Sequence, residues 1–134
     1  MDGGIDLAIS YFFGWELMER VQQTIISDFF GEQPVGTSLI VPTMNASHPY
    51  LAHTPTMRVP KDIRNTDHCY LAMAAMLRAI AHHNRGAENT QIRSVLCPGL
   101  GTAYGQVPAQ DAAHQMALAY RTFLEPPTKI DWPY

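Results

Sequence analysis

Charged side chains are scarce in this sequence. Only 16% of the 134 residues are Asp, Glu, Lys or Arg, where an average globular protein has about 25%. Nine Lys and Arg against twelve Asp and Glu leave a formal net charge of −3. A chain without a basic surplus has no general attraction for polyanions. We therefore expect no general binding to duplex nucleic acid, and any recognition of a phosphate has to use local donors such as backbone N–H groups.

Cysteine is also rare, and long apolar runs are missing. The two cysteines, Cys69 and Cys97, are widely separated in the sequence, which is typical of free thiols in a reducing compartment rather than of a disulfide framework. No apolar run approaches the roughly 20 residues that a membrane helix needs, and no secretory leader is recognisable. These features predict a cytoplasmic protein with no membrane partner.

The six histidines do not form a metal-binding pattern. No pair of His or Cys has the spacing of a zinc site together with a second matching pair. The sequence therefore predicts neither a metal nor a cofactor.

Hydrophobic residues make up 46% of the chain, which is enough to form a real core in a domain of this length. We expect one domain that covers residues 1–134, with residues 125–134 as a C-terminal tail packed on it through its aromatic side chains.

Strand and helix patterns alternate along the chain. Period-3.6 apolar patterns and terminal residues such as Gly86 and Pro108 delimit the helices, and β-branched runs that end at proline or glycine delimit the strands. The predicted elements are a helix from 17 to near Gly31, strands over 36–41 and 50–54, a helix from 67 to Gly86, a strand over 91–97 and a helix from 108 to 124. This order predicts an α/β layered fold.

Two predicted helices have an apolar stripe that should face the core. In the helix from 67 to Gly86, the stripe contains Tyr70, Met73, Ala74, Leu77, Ile80 and Ala81. In the last, it contains Ala112, Met116, Ala119, Tyr120 and Phe123.

The segment from Cys97 to Gly105 is the most informative feature of the chain. It places three glycines and Thr102 between a predicted strand and a predicted helix. Glycine permits positive φ and a close approach of the backbone, so that successive N–H groups can converge on an oxyanion. Most glycine-rich turns only reverse the chain, so this segment alone is a weak signal of phosphate binding.

A second glycine pair strengthens the signal. Gly3 and Gly4 stand immediately before an apolar helical pattern that begins at Ile5, and a helix N-terminus is a ready anion site. Asp6 follows in the first turn. An acidic residue there is explained by the helix dipole alone, and a carboxylate beside a phosphate pocket can also serve as a general base.

Both glycine segments, in this order, resemble those of a macro domain, the ADP-ribose-binding α/β/α module. Residues 3–9 are similar to the Gly-Gly-Val-Asp-x-Ala-Ile start of the family's first helix, and residues 98–105 resemble its second phosphate loop. The resemblance implies a three-layer α/β/α fold with a mixed central sheet. Relatives usually have two strands and an Asn-rich segment before the Gly-Gly pair, so the resemblance also implies an N-terminally truncated form of the fold.

The resemblance implies a ligand site made from both segments. Backbone N–H groups of Gly4 and Ile5 on one side and of the second loop on the other would hold a diphosphate, and Tyr104 would lie near the distal ribose. The expected ligand-binding residues are Gly3, Gly4, Ile5, Gly99, Leu100, Gly101, Thr102, Ala103 and Tyr104. The second loop is one residue shorter than the commonest family version.

Three functions remain open at this point. The first is binding of ADP-ribose or a related nucleotide diphosphate, free or on an ADP-ribosylated target. The second is hydrolysis of ADP-ribose from protein or nucleic acid, or of a terminal phosphate from its phosphorylated form, with Asp6 as the catalytic base. The third is a degenerate fold that serves as an interaction domain. Loss of sheet strands would expose apolar surface and unpaired backbone, which favours a homo-oligomer.

Overall fold

The computed structural model describes residues 4–86 and 88–131. The elements in chain order are α1 (Gly4–Phe13), α2 (Trp15–Phe29), β1 (Leu39–Pro42), β2 (Tyr50–His53), α3 (His68–Arg85) and α4 (Ala109–Leu124). None of the helices in this described part is both long and apolar enough to span a bilayer.

The helices α1 and α2 are separated by a single residue, Gly14. Its φ of 90° and ψ of 163° lie in a region that is open to glycine and costly for other residues. The second helix ends where Phe30 adopts the left-handed conformation, with a φ of 55°, and the N–H of Gly31 donates to the carbonyl of Ile25 at 3.1 Å. The predicted end of this helix near Gly31 lies two residues beyond the observed end at Phe29.

A first core lies between α2 and the strands. Leu17, Val21 and Val41 are buried together there. The strands β1 and β2 pair antiparallel, with Leu39 opposite His53 and Pro42 opposite Tyr50. Both predicted strands are therefore present, although each is shorter than predicted.

A second core lies where α3 and α4 begin. It consists of Ile63, Cys69, Val107 and Ala112. The side chain of Gln115 joins the two helices, because its Oε1 accepts the N–H of Tyr70 at 3.0 Å and its Nε2 donates to the carbonyl of Thr66 at 2.9 Å. The start of α3 is thus held both by its own cap region and by α4.

The strand that we expected over 91–97 is absent from the described structure. Residues 91–99 have no regular secondary structure, and Val95 and Leu96 are 44% and 85% exposed. Only the first part of the segment is fixed: the side chain of Asn84 donates to the carbonyl of Ile92 and accepts its N–H, both at 2.8 Å. A strand forms only when a neighbouring strand supplies a ladder of hydrogen bonds, and the described residues contain no such neighbour.

The sheet of the described residues accordingly has two strands, in the order β1-β2. The expected three-layer fold with a mixed central sheet is therefore not confirmed.

The predicted helix bounds are close to those observed, but the predicted stripes are partly wrong. On α3 the buried residues are Cys69, Ala72, Ala74, Ala75, Met76 and Leu77, because that helix contacts α4 on one side and β1 and β2 on another. On α4, Ala112 and Ala119 are buried as predicted, while Tyr120 and Phe123 are 48% and 37% exposed. Residues 125–131 are exposed, and the remainder of the predicted tail, 132–134, lies outside the described residues.

Candidate functional site

The loop of residues 99–107 has a conformation fixed by the protein around it. The N–H of Ile63 donates to the carbonyl of Gly105, and the N–H of Val107 donates to the carbonyl of Gly101, both at 3.0 Å. The Cys69 thiol donates to the carbonyl of Leu100 at 3.1 Å. The loop is therefore seated directly on the second core, at the start of both α3 and α4.

Two of the loop's glycines are required by this close seating. Gly101 has a φ of +70°, and a Cβ there would lie 3.0 Å from Ile63 Cδ1 and 3.1 Å from Cys69 Sγ. A Cβ on Gly105 would lie 2.5 Å from the carbonyl oxygen of Gly101. Side chains at these positions would have to displace the loop or the core beneath it.

The loop presents unused donors to solvent. Thr102, Ala103 and Tyr104 are exposed. Within residues 4–86 and 88–131, no backbone hydrogen bond uses an N–H of residues 101–104. A run of free N–H groups on a fixed loop is an arrangement that binds an anion at low reorganisation cost.

The first glycine segment meets this loop. Gly3 lies outside the described residues, and Gly4 begins α1 with a φ of +58°. A Cβ on Gly4 would lie 4.0 Å from Cε2 of Tyr104, so the ring of Tyr104 is in van der Waals range of the α1 N-terminus. The first N–H groups of a helix have no partner within the helix. The structure thus places the side chain of Tyr104 from the second loop beside the N-terminus of α1.

Asp6 lies in the first turn of α1 and acts electrostatically on His53 at the end of β2. Burial lowers the pKa of His53 below its ordinary value of 6.5, and the carboxylate of Asp6 partly opposes that shift. Gln33 fixes the ring: its Oε1 lies 2.8 Å from His53 Nδ1, and its Nε2 donates to the carbonyl of His53 at 3.1 Å. Burial therefore favours the neutral form of His53, and Gln33 fixes the orientation of its ring.

Sequence reasoning missed His53. Its relation to Asp6 crosses from the first helix to the second strand, and no local spacing pattern connects them. The only signal was a polar residue at the end of a predicted strand, which also occurs in ordinary strands.

The remaining chemistry-bearing residues do not build a second reactive centre in the described part of the chain. No group of three or more His, Cys, Asp and Glu is arranged to hold a metal ion among these residues. Burial raises the pKa of both the Cys69 and the Cys97 thiol, so neither is an activated nucleophile.

Two concave regions lie away from the glycine loops. One, of about 370 Å³, lies between the end of α1, the start of α2 and residues 43–45. The other, of about 510 Å³, lies between α3 and α4. Neither is lined by residues of the glycine loops.

Comparison with known families identifies the chain. The model of the Macro domain family matches residues 1–116. The chain belongs to the macro domain family, as its two glycine segments predicted, and this family generally binds ADP-ribose. Searches among curated proteins and among solved structures found no match.

Proposed function

We propose that this protein binds ADP-ribose, or a closely related nucleotide diphosphate, through its two glycine loops. In this proposal, N–H groups of Gly4 and Ile5 hold one side of the diphosphate, and N–H groups of the loop from Gly99 to Tyr104 hold the other. The ring of Tyr104 lies beside the distal ribose.

One observation carries the proposal: the van der Waals approach of Tyr104 to the α1 N-terminus at Gly4. This approach supports a site shared by two segments that are almost 100 residues apart in the sequence. The net charge of −3 agrees with a site that uses backbone donors and a helix dipole instead of a field of basic side chains.

The test is isothermal titration of the protein with ADP-ribose, with AMP and ADP as control ligands. We expect saturable binding that is selective for ADP-ribose. Gly101→Ala is expected to weaken it by at least about tenfold, because its Cβ crowds three side chains under the loop and the loss of one positioned donor alone costs about 1–3 kcal/mol.

Gly36→Ala is the matched control. Gly36 also has a positive φ, of +95°, but a Cβ there meets nothing within 4 Å. The Gly36→Ala variant should have backbone strain similar to that of Gly101→Ala and should keep the wild-type affinity for ADP-ribose. A folded wild-type protein that takes up no ADP-ribose would refute the proposal and favour the reading of a degenerate interaction domain.

Asp6 and His53 favour a second function, hydrolysis of an ADP-ribose derivative. A half-buried carboxylate in the first turn of α1 lies beside the proposed diphosphate site. In such a reaction Asp6 would accept a proton from water while the water oxygen forms a bond to the distal ribose carbon. The bond from that carbon to the leaving group would break, and the leaving group would depart with the electron pair and take up a proton from solvent.

Asp6→Asn tests this role. We expect it to abolish turnover of an ADP-ribosylated peptide while ADP-ribose binding is retained. It should also lower the pKa of His53 further, as measured by NMR titration, because the carboxylate that raises this pKa is gone. Asp111→Asn is the control, since Asp111 occupies the first turn of α4 and shares only the dipole effect. Turnover that survives Asp6→Asn would remove Asp6 from catalysis.

A further inference from the structure

The groove between α3 and α4 has a composition unlike the rest of the protein. It has a volume of about 510 Å³, and its walls include Tyr70, Arg78, His82 and Arg85 from α3 and Phe123 from α4, with Pro126 at one end. None of the described residues that line it is acidic, although the whole chain carries a net charge of −3. The groove is therefore locally basic in a protein whose net charge is negative.

The basic residues form a row on one helix face. Arg78, His82 and Arg85 are separated by four and three residues, so they lie on the same side of α3. The ion pairs in the described part of the chain use Arg58, Arg64 and Lys129, and none uses Arg78 or Arg85. The helix dipole explains cations in the last turn of α3, but Arg78 lies two turns before the helix end at Arg85 and beyond its reach.

The floor of the groove is apolar and its side chains are small. Ala74 and Ala119 are nearly fully buried, and Phe123 is 37% exposed. Because the two alanines are almost inaccessible, the apolar contact available to a ligand is Phe123, whose aromatic edge can pack against an apolar side chain. The groove thus offers a charged row and an apolar contact side by side.

The length of the groove points to a peptide. From Tyr70 to Arg85, α3 rises by about 22 Å at 1.5 Å per residue, and an extended peptide covers that distance with about seven residues at 3.3 Å each. A nucleic acid strand needs a cationic track along its whole backbone, whereas the half of this groove near Tyr70 and Ala74 has no cation among its lining residues. We propose that the α3–α4 groove binds an acidic peptide segment of a partner protein, with its carboxylates over Arg78, His82 and Arg85 and an apolar side chain against Phe123.

The experiment is an NMR titration of the full chain with two heptapeptide libraries. One has Asp or Glu at three adjacent positions and Leu or Phe at others, and in the matched library Asn and Gln replace the acids. We expect the acidic library to shift the amide signals of α3 and α4 saturably, and to lose affinity when the salt concentration is raised. The neutral library should bind more weakly by at least about threefold, since each exposed ion pair is worth about 0.2–1 kcal/mol.

Charge-matched variants separate the groove from the overall field. The double variant Arg78→Gln/Arg85→Gln should lose about threefold or more in affinity for the acidic library. Lys61→Gln/Arg93→Gln removes the same charge elsewhere and should leave binding unchanged. Neither double variant changes a residue of the glycine loops, so failure of the groove is told apart from failure of the ADP-ribose site.

Several results would overturn the proposal. The first is equal affinity for the acidic and the neutral library. The second is an equal loss of affinity in the two double variants. The third is the absence of shifts in the amide signals of α3 and α4 at millimolar peptide. Tighter binding of a single-stranded heptanucleotide at the same amides would reassign the groove to nucleic acid. Concentration-dependent shifts there without peptide would reassign it to a second copy of the chain.

Discussion

The two halves of the segment 91–107 differ sharply although they are adjacent in the sequence. Residues 99–107 form a loop that is hydrogen-bonded to Ile63 and Cys69 and seated on a buried core. Residues 91–97 have the composition of a buried strand, yet Leu96 is 85% exposed.

The difference lies in where the partners of each half are found. The loop rests on α3, α4 and Ile63, all of which are in the described structure. A buried strand depends on other strands for its hydrogen bonds and on other elements to bury its side chains. Neither the placement of glycines nor a local apolar pattern can provide these partners. The hydrogen-bond partners that a strand requires are thus non-local, whereas this glycine loop is held by the residues directly beneath it.

Hydrogen exchange should show the largest contrast between the halves. The N–H groups of Ile63 and Val107 are bonded and buried, while no hydrogen bond in the described structure uses the N–H of Val95 or Leu96. We expect the first two to exchange at least about a thousandfold more slowly, since core amides open with free energies that approach the global stability of about 5 kcal/mol or more. Similar protection at all four amides would contradict the comparison.

Ile63→Ala should break the seated half. Ile63 is fully buried, and its replacement is expected to lower the free energy of unfolding by about 2–5 kcal/mol. Leu17→Ala is the control, because Leu17 is equally buried in the first core and should cost as much. Urea denaturation measures stability, and titration with ADP-ribose under native conditions should show a loss of affinity for Ile63→Ala alone.

If the alanine variant does not fold, Ile63→Val provides the same test at a cost of about 0.5–1.5 kcal/mol. Equal affinities in the Ile63 and Leu17 variants would show that the loop does not depend on the core beneath it.

Gln115→Ala should loosen the support of the loop more mildly. It removes the partner of the Tyr70 N–H and of the Thr66 carbonyl at the start of α3, which is expected to cost about 1–3 kcal/mol. Gln110→Ala, on the exposed side of the same helix, should stay within about 0.5 kcal/mol. Thermal unfolding of both variants measures the difference, and equal melting temperatures would argue against the bridge.

Leu96→Ser should have the smallest effect. Because this side chain is largely exposed, we expect a change within about 0.5 kcal/mol, where a leucine in a buried strand would cost several times more. A chemical denaturation curve decides between the two. A loss above about 1.5 kcal/mol would mean that the segment is covered in solution, for instance by a second copy of the chain.

Local signals allowed part of the fold to be predicted. The predicted bounds of α3, from 67 to Gly86, agree with the observed helix His68–Arg85 to within one residue, since helix ends carry local sequence signals. The strand over 91–97 was wrong because its pattern contains no information on which strand is to pair with it. The predicted burial of Phe123 was wrong for a similar reason. A helical stripe shows which residues share a face, but not how much of that face a neighbouring helix buries.

The candidate site was predictable to the same extent. Glycine spacing indicated both loops, and the resemblance indicated their order, but only the fold brings Tyr104 next to Gly4. The relation between Asp6 and His53 was not predictable, because it depends on how α1 is placed against β2.

The alkylation rate of the buried Cys69 thiol can report how often the loop opens. Because the thiol donates to Leu100 beneath the loop and burial raises its pKa, an alkylating reagent reaches a reactive thiolate only when the loop lifts. Its modification rate therefore records the frequency of that motion. Cys97, which is only half-buried in the neighbouring segment, supplies a reference rate within the same molecule. A ligand that holds the loop down should slow the first reaction and leave the second unchanged, so loop opening can be followed without any added probe on the protein.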